Sequence, residues 1–166
     1  MSALDKQIEA IKQLYKEIRN RKQKVEPIII GKFALTVYTQ GMYPSPVISL
    51  LHPDIEFMTH LLKDLGYKPS GNIFSKNDIN FEISNKFDLI TGKFNQIEVD
   101  GTIINVLSLE DLLIDMMNEC INKDETVCEL IKMLIRSYKK AIDFHYIFMN
   151  TKDKRAVIKF KEFRRQ

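Results

Sequence analysis

Residues 27–51 read PIIIGKFALTVYTQGMYPSPVISLL, and the order of residue types in this stretch decides the fold. Ile28, Ile29 and Ile30 make a continuous β-branched run, the pattern of a strand buried on both faces. Gly31 frees the backbone for a sharp turn, and residues 33–38 are long enough for about two helical turns. Pro44 and Pro46 then bar any further helix, and residues 47–51 supply a second apolar strand. The expected unit is strand, glycine turn, short helix, strand.

Upstream, residues 3–24 carry Ile8, Ile11, Leu14, Tyr15 and Ile18 at helical spacing, which predicts an amphipathic helix. Arg19, Arg21, Lys22 and Lys24 fall in its last turns, where cations complement the carbonyl end. Downstream, residues 53–65 read as a second amphipathic helix opened by Pro53 and capped by Gly66. A short strand near Tyr67 and a turn at residues 69–72 come next. The alternation Ile, Asn, Phe, Glu, Ile over residues 79–83 then predicts a strand with one wet face.

Residues 87–89 read as a further strand, and Asp100-Gly101 as the turn of a hairpin between residues 96–99 and 102–106. Ser108, with Glu110 and Asp111 behind it, opens a capped helix. From Asp124 onward the chain reads as helices, broken near Lys139 and Lys140. The last of them is basic, with Ala156, Ile158, Phe160 and Phe163 expected on its packed side.

The length of 166 residues suits one domain with its own core, and a net charge of +3 does not by itself argue for nucleic acid. Cys120 and Cys128 match neither a zinc knuckle nor a disulfide framework, and are expected as buried thiols. His52, His60 and His145 lack zinc-ligand spacing, and no nucleophile elbow, Walker loop or dinucleotide fingerprint is present. No N-terminal apolar segment or membrane-length run occurs, so the expectation is a soluble cytoplasmic protein with no membrane partner.

The strand, glycine and helix of residues 27–51, together with VLSLEDLLID at residues 106–115, resemble the minimal nucleotidyltransferase superfamily. Small prokaryotic nucleotidyltransferase-like proteins and toxin-like relatives of the AbiE abortive-infection system are the members most similar in kind. The resemblance implies an α+β fold, with a mixed β-sheet, flanking helices and a helical C-terminal portion. It also implies a single domain over 1–166, made of an N-terminal helix (1–26), a sheet core with helices (27–107) and C-terminal helices (108–166).

Family members carry Gly-Gly or Gly-Ser after the first strand, whereas Lys32 follows Gly31 here. Their Thr-x-Asp-x-Asp-Leu falls on Ser45, Pro46, Val47, Ile48, Ser49 and Leu50, so Val47 and Ser49 stand where the metal-binding aspartates are expected. Residues two apart on a strand share a face, and two carboxylates there hold divalent metal for phosphoryl transfer. Valine offers no oxygen, and a neutral hydroxyl does not offset the charge of a hard cation.

The resemblance therefore implies a catalytically degenerate binding or interaction module for nucleotide or RNA, with a homodimer or a protein partner left open. Gly31, Lys32, Ser45, Ser49 and Glu82 are its ligand-binding candidates. Glu82 is also a remnant of the family's third acid, and no metal or cofactor is expected. Two alternatives stand beside this reading. One is an active Mg²⁺-dependent nucleotidyltransferase using Asp54, Glu56 and Glu82. The other is a nucleic-acid-binding regulator using Lys152, Lys154, Arg155, Lys159, Lys161, Arg164 and Arg165. Asp111 and Asp115 share a helical face, though capping explains the first of them.

Overall fold

Ser2 opens helix α1 (Ala3–Asn20) with a reciprocal cap: its hydroxyl accepts from the Asp5 amide, and the Asp5 carboxylate accepts from the Ser2 amide. Ile11, Leu14, Tyr15 and Ile18 are buried along one face of α1. The helix is shorter than its sequence pattern suggests. Lys22 takes a positive φ of 58°, which ends it, so of the four clustered cations only Arg19 lies in the last turn. The structure is a computed structural model that describes residues 2–86 and 93–166, and the strand expected at 87–89 lies outside the described residues.

Strand β1 (Ile28–Ile30) runs into α2 (Gly31–Tyr38), and β2 (Ile48–Leu51) returns antiparallel to β1. Gly31 has φ +65° at the junction, a conformation that favours glycine. Gln40 (φ 54°) and Gly41 (φ +86°) follow the Thr39 C-cap of α2, and the left-handed backbone at Gly41 favours glycine there. Helix α3 (Ile55–Asp64) begins later than expected: Pro53 lies outside it and Asp54 is its N-cap, accepting from the Phe57 amide.

Strands β3 (Lys68–Ser70), β4 (Ile73–Lys76) and β5 (Ile79–Ser84) form a meander, and β6 (Phe94–Val99) and β7 (Thr102–Leu107) form a hairpin. Asp100 (φ 48°) and Gly101 (φ 79°) make its two-residue turn, as the sequence predicts. Pro69 and Ser70 belong to β3 rather than to a turn, and β4 is a strand with no clear sequence signal.

These seven strands form one mixed sheet in the order β3-β4-β5-β2-β1-β7-β6, with β1 parallel to β7 and β2 parallel to β5. By register Ile29, Ile48, Leu50, Phe81, Ile83 and Val106 share one face, all buried. Helices α1 and α3 pack on β5, and Met58, Leu61 and Leu62 of α3 are fully buried. His52 is also core: one ring nitrogen meets the Val25 carbonyl at 2.9 Å and the other accepts from the Asp54 amide at 3.0 Å.

The chain divides into two compact units, Met1–Leu107 and Ser108–Gln166. The second is helical: α4 (Leu109–Ile121), α5 (Glu125–Tyr138), α6 (Phe144–Asn150) and α7 (Lys154–Arg165). Ser108, Asp124, Asp143 and Asp153 are the successive N-caps. Ala156, Phe160 and Phe163 are buried on α7, but Ile158 is 57% exposed, contrary to its expected packing.

The expectation of free thiols is also corrected, because Cys120 and Cys128 form a disulfide. Eight residues along one straight helix span about 12 Å, too far for a bridge. The chain instead breaks at Asn122, Lys123 turns with φ 74°, and α5 folds back on α4, which brings the two Cα atoms to 4.9 Å.

Candidate functional site

The sheet face opposite the α1 and α3 side gathers the polar residues of its central strands. Register places Ile30 beside Ser49, Ser49 beside Glu82, and Glu82 beside Ile73, so these side chains form one row across four strands. Ser49 and Glu82 are half-buried, and neither has a side-chain hydrogen bond or ion pair among the described residues. Gly31 adjoins the row: a Cβ there would meet Ser49 Cβ and Oγ at 3.8 Å, ordinary contact, so the left-handed backbone rather than crowding calls for glycine.

Helix α2 starts at this point with Ile30 as N-cap and no side-chain cap. Its first-turn amides are thus left to other partners. Lys32, exposed in that turn, lends its carbonyl to the Thr36 hydroxyl at 3.2 Å.

Structure therefore brings Gly31, Ser49 and Glu82 to one neighbourhood, and Lys32 follows Gly31 in the first turn of α2. Ser45 is not available to a ligand in the same way. Its hydroxyl donates to the Val47 carbonyl at 2.8 Å and accepts from the Val47 amide at 3.3 Å, and its own carbonyl accepts from Gln7 Nε2 at 2.7 Å. It is a buried turn residue that ties the loop to α1.

Two residues on this face were not singled out by the sequence. Asn80 sits two before Glu82 on the wet face of β5; its Oδ1 accepts from the Ser75 hydroxyl at 2.6 Å and its amide donates to the Pro46 carbonyl at 3.3 Å. The alternation that pointed to Glu82 applies equally to Asn80, whereas Ser75 becomes visible only once β4 is paired. Asn105, on β7 beside Ile28, has a buried Oδ1 without a partner among the described residues.

The row offers few hard donors among the described residues. Val47 precedes β2, Ser49 supplies one neutral hydroxyl, and Glu82 is the carboxylate of the row. Asp54 and Glu56 belong to the cap and first turn of α3 rather than to a strand, with Asp54 Oδ1 held by the Phe57 amide at 2.9 Å. Among the described residues no group of three or more His, Cys, Asp or Glu side chains is placed to hold a metal ion.

In the helical unit, Asp111 is buried and saturated. Its carboxylate accepts from the Ser108 hydroxyl at 3.0 Å and from the Tyr146 hydroxyl at 2.8 Å. Burial first, then the Asp111 carboxylate, pushes the Tyr146 phenol well above its ordinary range. Asp115 is exposed on the same helix and does not join this cluster.

The basic α7 is partly committed within its own unit. Arg155 meets Asp153 at 2.9 Å, Arg164 lies 4.9 Å over the Phe144 ring, and Lys161 lies 5.9 Å over Phe148. Among the described residues no helix is long and apolar enough to cross a membrane.

The backbone is similar to the solution structure of the antibiotic-resistance factor ANT(2'')-Ia, an aminoglycoside nucleotidyltransferase. The TM-score is 0.56 at 13% identity, over 86% of this chain and 97% of that one. This chain has a nucleotidyltransferase-like fold. At that identity the likeness concerns architecture alone. No protein-family model matches the sequence, and neither does any curated protein.

Proposed function

We propose that this chain is a nucleotidyltransferase-fold binding module that takes a nucleotide, or the end of an RNA, beside Gly31, Lys32, Ser49 and Glu82, without metal-dependent transfer. The observation that carries this reading is the Ser49 and Glu82 pair: one hydroxyl, where the resemblance expects the second aspartate, beside one carboxylate, where it expects the third acid, with no other side-chain partner among the described residues.

Each group has a role that needs no cation. The open first turn of α2 offers amides to a phosphate, and Lys32 adds a charge at its rim. Glu82 accepts from a ribose hydroxyl or a base amino group, and Ser49 donates or accepts as the ligand requires.

Isothermal titration of nucleoside triphosphates with and without Mg²⁺ tests this. The expected result is binding that does not need the ion and weakens about tenfold in Glu82→Gln, the loss of one charge-assisted hydrogen bond. Binding that requires Mg²⁺, or a nucleotidylated product when an aminoglycoside or an RNA acceptor is added, would overturn the reading.

A further inference from the structure

The helical unit holds a covalent feature that nucleotide binding leaves unused. Cys120 lies near the end of α4 and Cys128 near the start of α5, so their disulfide crosses the seam of a hairpin linked by Asn122, Lys123 and Asp124. The two cysteines expose little surface, 4% and 6%, yet both border one cleft of about 440 Å³. A small molecule in that cleft lies against the bridged pair.

The cleft wall has a bias of charge. Lys123, Lys132, Arg155 and Lys159 border it, and Glu125 is the carboxylate among its lining residues. Three of the cations also meet acids: Lys132 with Glu129 at 3.1 Å, Arg155 with Asp153 at 2.9 Å, and Lys159 with Glu162 at 3.8 Å. Lys123 has no ion pair among the described residues, and its φ of 74° fixes it at the hairpin turn. An anion entering the cleft therefore finds, among the described residues that line it with the two cysteines, one cation without an ion pair.

We propose that Cys120 and Cys128 form a reversible redox site, opened by a small thiol that bears a carboxylate and is drawn in by Lys123. The thiolate attacks one cysteine sulfur, the bond between the two sulfurs breaks, and the displaced cysteine leaves as a thiolate that takes a proton from water. A second thiol molecule then attacks the mixed disulfide and releases the other cysteine. Two thiols thus deliver two electrons and two protons to the protein and depart as their own disulfide; that disulfide reverses the reaction.

Opening the bridge removes the covalent tie between α4 and α5 and leaves the hairpin to noncovalent packing. For a loop of this size the chain-entropy relation corresponds to a roughly fifty-fold rise in the opened hairpin, readable as amide exchange along residues 116–131. This inference stands apart from the nucleotide reading, and each can fail without the other.

The test uses the full chain, oxidised with the disulfide of 3-mercaptopropionate and freed of reagent. It is then reduced without denaturant by 3-mercaptopropionate or by cysteamine at equal thiolate concentration, with alkylation and intact mass as readout. The expected result is no alkylated thiol before reduction, two after it, and a transient adduct of one thiol. The acid thiol reacts about threefold faster or more at low salt, as a single unscreened charge at about 6 Å implies. That advantage shrinks at about 1 M salt and in Lys123→Asn, a residue that tolerates the left-handed turn. Two alkylatable thiols persisting after oxidation, reduction that needs denaturant, or equal rates for the two thiols would each overturn the proposal.

Discussion

Two acidic residues in polar surroundings, Glu82 of the sheet unit and Asp111 of the helical unit, are held in opposite ways. Asp111 is 5% exposed and accepts from Ser108 and Tyr146, so its charge is spent on holding α4 and α6 together. Glu82 is half-buried and has no partner beyond its strand neighbours among the described residues. A saturated buried acid is a structural element, whereas the unsaturated one on the sheet face, next to a glycine turn and an uncapped helix start, is where the proposed ligand would bind. The sequence points the same way, with Glu82 a ligand candidate and Asp111 explained by capping.

The difference is breakable by mutation. Asp111→Ala should cost roughly 3 kcal/mol in urea unfolding of the full chain, because it strands the buried Ser108 hydroxyl and the half-buried Tyr146 hydroxyl, both bonded to its carboxylate. A cost near zero would show that the cluster is not holding the unit together.

Tyr146→Phe should have a smaller effect, roughly 1 kcal/mol at neutral pH. It should also change the alkaline limb. Below the ordinary phenolic value of 10 both folded and unfolded chains keep the Tyr146 proton; above it the unfolded chain ionises while the folded one does not. Stability therefore falls as pH rises past about 10, and Tyr146→Phe should flatten that fall. An unchanged slope would remove Tyr146 from the account.

Glu82→Gln should have the smallest effect on stability, within about 0.5 kcal/mol of the parent protein, because no side-chain partner among the described residues is lost. A loss comparable to that of Asp111→Ala would mean that Glu82 serves the fold, and would erase the contrast between the two acids.

The parts of the fold that were legible rest on local rules. Asp100 and Gly101 adopt the positive φ values that a two-residue hairpin turn needs, and the alternation in β5 is seen as alternating burial along Ile79–Ser84. The cap expected at Ser108 accepts from the Asp111 amide, a bond set by local chain geometry, and the caps at Asp124, Asp143 and Asp153, which the sequence did not single out, follow the same rule. Of the candidate site, Gly31, Ser49 and Glu82 were legible because strand periodicity and one glycine place them. The bonding of the Ser45 hydroxyl to the Val47 backbone was not legible, because it depends on a turn whose shape Pro44 and Pro46 suggest but do not specify.

By itself the sequence determined the type of most elements, since capping, turn chemistry and hydrophobic period act over a few residues. Tertiary structure alone decided that β1 runs parallel to β7 at the centre of the sheet, that β4 exists as a strand, and that Ser49 lies beside Glu82. It also decided that Cys120 and Cys128 meet as a disulfide. Strand partners and helix folding-back are chosen by which buried surfaces fit across long stretches of chain, and that competition leaves no mark at any single position.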